Sequence, residues 1–170
     1  MPNPYFSFKQ FTVYHDRCAM KVGTDGVLLG AWVDVVSARN ILDVGTGTGL
    51  ISLMMAQRCN AQIRAVDIDA DAVEQARGNV AASPWQDRIE VELQDICHFT
   101  SETLFDVIVS NPPYFVDALP CPDRQRNTAR HAGGLNYDLL FRRSARLLSE
   151  GGVVSIVIPS EVERAAEDAA

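Results

Sequence analysis

The chain has 170 residues, 47% of them hydrophobic and 22% charged, and a formal net charge of −7. That size and balance suit one globular domain with its own core and exclude a disordered or low-complexity chain. No apolar stretch reaches the roughly 20 residues of a membrane-spanning helix, and no signal-peptide pattern is visible at the start. Cys18, Cys59, Cys97 and Cys121 form no Cys-x-x-Cys pair, and no histidine stands at metal-ligand spacing. They read as reduced thiols of a cytoplasmic protein, with no metal site expected.

Charge is unevenly spread. Lys9, Arg17 and Lys21 against Asp16 make residues 1–22 basic, and Arg124, Arg126, Arg130, Arg142, Arg143 and Arg146 against Asp138 do the same for 124–146. The remainder is acidic. Basic segments flanking an acidic body keep nucleic acid open as a partner despite the net charge. Arg142, Arg143 and Arg146 read as a solvated helix face. Arg124, Arg126 and Arg130 lie in a polar stretch that a substrate can reach.

In chain order, residues 16–21 show no clear period, and 24–32 read as a helix capped by Thr24 or Asp25. Residues 40–44 form a short apolar strand and 50–58 a buried helix, followed by a strand over 62–67. Asp71-Ala72-Val73-Glu74 has the form of a capping box and opens a helix to about Ala82, stopped by Ser83-Pro84. Strands follow at 89–93 and 105–110. Asn136 can cap a helix from Tyr137 to about Ser149, ended by Gly151 and Gly152. A fifth strand runs over 152–158, and a helix begins near Glu161. Such alternation predicts an α/β fold with a doubly wound parallel sheet and helices on both faces. Residues 1–36 form an N-terminal segment ahead of a sheet domain over 37–170.

The chemistry concentrates at strand ends. After the first sheet strand comes Asp43-Val44-Gly45-Thr46-Gly47-Thr48-Gly49. Glycines there let backbone approach a ligand and turn sharply into a helix. Leu50 stands where the dinucleotide fingerprint G-x-G-x-x-G has its third glycine, which disfavours a pyrophosphate cofactor. An acid ahead of G-x-G-x-G resembles the S-adenosylmethionine loop instead. Asp67 ends the second strand, where a carboxylate can accept both ribose hydroxyls. Asp95 follows the third strand, where an acceptor can meet an adenine amino group. Ile68 and Ile96 are placed to sandwich the adenine, and Asp43 to face the cationic amino end of the methionine.

Asn111-Pro112-Pro113-Tyr114 follows the fourth strand. Two prolines stiffen the backbone and remove N–H donors, leaving carbonyl acceptors. Asn111 adds a side-chain carbonyl and Tyr114 a flat face, a clamp for a planar group carrying NH₂. The tetrapeptide resembles the (Asn/Asp)-Pro-Pro-(Tyr/Phe) signature of S-adenosylmethionine-dependent amino-methyltransferases. An aromatic amine is a poor nucleophile. The Asn111 oxygen and the Pro112 carbonyl can bond its hydrogens and aim its lone pair at the methyl carbon, while Tyr114 stacks on the base.

Phe8-Lys9-Gln10-Phe11, the run His15 to Gly26, and Leu28-Leu29-Gly30-Ala31-Trp32 resemble the start of the bacterial tRNA(Val) adenine-N6 methyltransferases. The likeness continues through the glycine loop, Ser83-Pro84-Trp85 and Ser110 to Tyr114. It implies a Rossmann-like fold of the class I methyltransferase type, S-adenosylmethionine as cofactor, and methylation of N6 of adenine 37 in a tRNA anticodon loop. On the cofactor side it implies Lys21, Thr24, Asp25, Asp43, Gly45, Gly47, Gly49, Asp67, Ile68, Asp95, Ile96 and Asn111. The catalytic group is Asn111, Pro112 and Tyr114. The RNA side takes Pro113, Tyr114, Arg124, Arg126, Arg130 and His131, with Lys21 a further RNA contact. Enzymes of this fold normally carry seven strands, so the 170 residues are expected to be part of a longer chain that completes the sheet beyond strand five. Methylation of another amino or amide group (a different RNA or DNA base, or a release-factor glutamine) and a non-catalytic binding module remain alternatives.

Overall fold

The computed structural model describes residues 3–18, 20–112 and 137–170. Strands β1 (Tyr5–Ser7) and β2 (Thr12–Tyr14) pair as an antiparallel hairpin. Helix α1 (Thr24–Trp32) leads into β3 (Asn40–Val44), α2 (Leu50–Ala56), β4 (Gln62–Asp67), α3 (Ala70–Ala81), β5 (Ile89–Leu93) and β6 (Phe105–Ser110). After residues 113–136 come α4 (Tyr137–Leu147), β7 (Leu148–Ile156) and α5 (Glu163–Ala169).

β3 to β7 form one parallel sheet in the order β5-β4-β3-β6-β7. The chain moves outward one way from β3 and the other way from β6, so the strand order reverses between these two neighbours. That reversal opens the crevice where ligands bind in open α/β sheets. Period-two alternation sorts the strands onto two cores. Ile41, Ile63, Ala65, Val107 and Val109 join α1, α2 and α3 on one face, and Leu42, Val44, Val66 and Ile108 join Leu140 and Leu147 of α4 on the other. Burial on both faces is why these strands read as continuous apolar runs.

Several local expectations need correction. The N-terminal hairpin was not anticipated; its strands are three residues each, too short to carry a period. Neither Thr24 nor Asp25 caps α1. Gly23 holds the cap position, with no side-chain hydrogen bond. The cap of α3 is Asp69, whose carboxylate accepts from the N–H groups of Asp71 and Ala72, so the helix begins one residue ahead of the supposed capping box. α2 stops at Ala56 instead of Arg58, and Arg88 donates to the carbonyls of Ala56, Cys59 and Ala61 past its end. The glycine pair does not end α4; β7 starts directly at Leu148, and both glycines lie inside it. Gly151 takes φ +76, and a Cβ on Gly152 would come within 2.9 Å of the Phe105 carbonyl oxygen. The β6–β7 register shifts at this point, between Phe105 and Val107. Among the described residues β7 pairs with β6 alone, and no helix is long and apolar enough to cross a membrane.

Candidate active site

The first two glycines of the loop after β3 turn over the edge of the sheet. Gly45, Gly47 and Gly49 all adopt positive φ (72°, 56° and 79°), a region that costs an L side chain about 1–2 kcal/mol. Gly45 and Thr46 donate their N–H groups to the Val66 carbonyl at 2.9 and 3.1 Å, which fastens the loop to β4. Gly49 is the cap residue of α2, so the loop ends at a helix N-terminus. A Cβ built on Gly45 would meet nothing within 4 Å, so open space faces that turn.

Asp43 lies beneath this loop without accessible surface. Its Oδ2 accepts from Thr46 Oγ1 at 2.8 Å and Ser52 Oγ at 2.6 Å, while Oδ1 has no partner among the described residues. Burial pushes its pKa from 3.8 up to about 6. The two hydroxyls oppose that rise, and the nearby charge of Asp67 adds to it. Asp67, at the end of β4, accepts Gly47 N–H on Oδ2 at 2.8 Å and Asp69 N–H on Oδ1 at 3.0 Å. Its pKa is also raised, by burial first. The Ile68 N–H adds a third backbone interaction, which leaves the carboxylate with part of its acceptor capacity. Ile68 beside it is 55% exposed, an apolar surface at the loop.

The turn after β5 carries Asp95, half-buried, whose Oδ1 accepts from Cys97 N–H at 2.8 Å. Ile96 is drawn into the core with Leu42, Val44 and Val66, and 4% of its surface remains accessible. Arg143 of α4 holds this turn, donating to the carbonyls of Ile96 at 3.1 Å and Phe99 at 2.9 Å. Arg143 is therefore not a solvated residue, because its guanidinium fork reaches two carbonyls of the turn, the Ile96 carbonyl accepting the Phe99 N–H at 3.3 Å as well. Arg142 behaves as expected, paired with Asp138 one helical turn away.

Asn111 and Pro112 leave the end of β6, next to the glycine loop across the reversal point. The N-terminus of α1 packs there as well. A Cβ on Gly26 would come within 3.2 Å of Leu50 Cδ2 and 3.7 Å of Asn111 Nδ2. Three chain regions therefore converge at Gly26: the first turn of α1, which Thr24 and Asp25 open, the start of α2 at Leu50, and Asn111. Lys21 is exposed just before α1. Pro113, Tyr114, Arg124, Arg126, Arg130 and His131 lie outside the described residues.

Three polar residues that the sequence did not single out belong to this neighbourhood. Ser52 holds Asp43, while Gln75 and Asn79 are buried on α3. The available signal was polar residues four apart on the apolar stripe of α3, at 75 and 79 among Ala72, Val73, Ala76 and Val80.

An acid-then-glycine loop after the first strand, acids at the next two strand ends and an Asn-Pro at the reversal point, on this sheet order, give a Rossmann-like α/β fold of the class I methyltransferase kind. The methyltransferase small domain family matches over residues 18–166. A tRNA1(Val) (adenine(37)-N6)-methyltransferase of Phocaeicola vulgatus is 83% identical over 161 residues, covering 95% of this chain and 69% of that protein. Its namesake in Bacteroides thetaiotaomicron is 60% identical, with the same coverage of each. One from Yersinia pestis is 52% identical, covering 92% and 65%. Among solved structures, an S-adenosylmethionine-dependent methyltransferase from Thiobacillus denitrificans in complex with S-adenosyl-L-homocysteine shares the fold at TM-score 0.58 and 19% identity, over 84% of this chain and 49% of that one. The N-methyltransferase NodS of Bradyrhizobium japonicum does so at TM-score 0.53 and 18% identity, over 77% and 57%. This chain belongs to the tRNA1(Val) (adenine(37)-N6)-methyltransferase family.

Proposed function

We propose that this chain transfers a methyl group from S-adenosylmethionine to N6 of adenine 37 in tRNA1(Val), the reaction in its relatives' names. The observation that carries the reading is the placement of Asn111 beside the glycine loop at the strand reversal, in a chain 83% identical to such an enzyme.

The residues present fit the cofactor. Gly45 turns without a side chain and faces open space, and the Asp67 carboxylate at the end of β4 offers acceptor oxygen to the ribose hydroxyls. Ile68 supplies an exposed apolar wall for the adenine, and Ile96 contributes only its remaining edge. Asp95 offers an acceptor for the adenine amino group. Asp43 is buried too deeply for direct contact, so it acts on the cationic methionine end through its field and through the loop shape it holds. Lys21, Thr24 and Asp25 close the methionine side.

Bound S-adenosylmethionine supplies an electrophilic methyl group on a sulfonium. The protein's part is positional. The Asn111 carbonyl and the Pro112 carbonyl accept the two hydrogens of the target amine and point its lone pair toward the loop. Alkylation makes the amine proton acidic, so no strong general base is needed and water takes the proton. Tyr114 stacks on a base drawn out of the anticodon loop, where extraction costs less than from a duplex. Pro113, Arg124, Arg126, Arg130 and His131 contact the RNA around it.

Residues 1–36 serve as the capping and substrate segment and 37–170 as the methyltransferase domain of a cytoplasmic enzyme. The relatives' greater length supports reading these residues as part of a longer chain that continues the sheet beyond β7. Nucleoside mass spectrometry of tRNA1(Val) from cells lacking the protein tests the function. Loss of N6-methyladenosine is expected, and an unchanged profile refutes it. Transfer of labelled methyl to protein and not to tRNA would favour a glutamine substrate instead.

A further inference from the structure

One face of α3 reads the backbone of two separate chain regions. Asn79 is 1% exposed. Its Oδ1 accepts the Tyr14 N–H at 2.9 Å, and its Nδ2 donates to the Tyr14 carbonyl at 2.8 Å and to the Thr48 carbonyl, within the glycine loop, at 2.8 Å. One helical turn earlier, Gln75 Oε1 accepts the Arg17 N–H at 2.9 Å. Between them Ala76 lies against the loop; a Cβ on Gly49 would come within 3.4 Å of its Cβ.

The segment so anchored runs toward the site. His15 Nε2 donates to the Asn3 carbonyl at 2.9 Å, and its Nδ1 accepts the Val22 N–H at 3.5 Å, closing residues 15–22 into a loop. Cys18 Sγ lies 3.9 Å from the Cβ position of Gly47. The segment then enters α1, whose first turn meets Leu50 and Asn111.

We propose that Asn79 is a positioning residue for cofactor binding. It registers the 14–25 segment against the glycine loop, so that ordering the segment and binding at the loop favour one another. The inference rests on the reading that Gly45–Gly49 holds S-adenosylmethionine. A primary amide suits the task because it offers two N–H donors and one acceptor in a single plane. A carboxylate would set negative charge against the Tyr14 and Thr48 carbonyls, and an alkyl group would strip the amide partner from three backbone groups, that of Thr48 fully buried. Coupling of this kind is reciprocal: if the segment's order strengthens cofactor binding, the cofactor orders the segment equally.

The test uses the full-length protein and S-adenosylmethionine itself. Asn79→Leu and Asn79→Asp are expected to weaken cofactor affinity roughly tenfold, about one strong hydrogen bond's worth. kcat at saturating cofactor should stay within about twofold, so the loss appears in KM. Val80→Ala, a core cut on the same helix that removes no hydrogen bond to either anchored region, should lower Tm while leaving affinity unchanged. Hydrogen exchange over residues 14–22 should slow on adding cofactor in the wild type and not in Asn79→Leu. Gln75→Leu, which removes a single bond, gives the same comparison in a milder variant, and Gln75→Glu, which keeps the acceptor, should restore affinity. Unchanged affinity in the Asn79 and Gln75→Leu variants, or an equal affinity loss in Val80→Ala, overturns the proposal. A wild-type protein that bound no S-adenosylmethionine would overturn the cofactor reading itself, and this inference with it.

Discussion

Asp43 ties the stability of the fold to pH, and on the proposed function it ties cofactor binding to pH as well. Its folded pKa of about 6, against 3.8 for the free group, means the folded protein holds this proton more tightly than the unfolded chain does. The associated stability is complete below about pH 3.8 and is lost as pH rises through 6. Between pH 5 and pH 7.5 the group should cost the ligand-free protein about 1.4 kcal/mol. Asp43→Asn removes the titration but keeps an oxygen for the Thr46 and Ser52 hydroxyls, and it puts an amide where Oδ1 lacks a partner. Urea unfolding of both proteins at the two pH values isolates the effect. Wild type should gain about 1.4 kcal/mol over the variant on going from pH 7.5 to 5. A bound cation favours the carboxylate, so the same linkage predicts that S-adenosylmethionine binds the wild type up to roughly tenfold more weakly at pH 5 than at 7.5. In Asp43→Asn that dependence should flatten. A stability difference that does not change with pH, or wild-type affinity that ignores pH, refutes the view that this buried acid answers to charge at the loop.

Other consequences can be read on the same protein. Asn111→Ala should lower methylation of tRNA roughly a hundredfold, by analogy with removing one oriented polar partner of a transition state, while cofactor affinity stays within about threefold. Binding calorimetry beside a labelled-methyl assay separates the two. Gly49→Ala must place a side chain at φ +79 against Ala76 and should cost about 1–2 kcal/mol in urea unfolding, together with weaker cofactor binding. Arg143→Met keeps the stem but removes the guanidinium bonds to the Ile96 and Phe99 carbonyls, leaving Ile96 only the Phe99 N–H; a loss of about 1–2 kcal/mol is expected, with faster hydrogen exchange in the turn after Asp95.

Which features the sequence revealed, and which it hid, follows from how far each interaction reaches. The glycine loop was readable because its requirements are local. Positive φ at 45, 47 and 49 demands glycine, and the acid two residues ahead of the loop bonds Thr46 and Ser52, three and nine positions away. The parallel, doubly wound sheet followed from alternation of strands and helices, but the strand order β5-β4-β3-β6-β7, which puts Asn111 beside the loop, was not read from the chain. Asp69 was missed as a cap because Asp71 and Glu74 offered an equally good pattern two residues on, and only the backbone geometry separates them. Arg143 was misread because its partners, Ile96 and Phe99, stand 47 and 44 residues away. Asn79 is the extreme case, bonding residues 65 and 31 positions distant through backbone atoms that any amino acid would present at Tyr14 and Thr48. Residues that contact a ligand need particular chemistry at particular strand ends, so they leave a pattern in the chain. Residues that hold such an arrangement together need only a backbone to grip, and what betrays them is a polar group on a face that should be apolar.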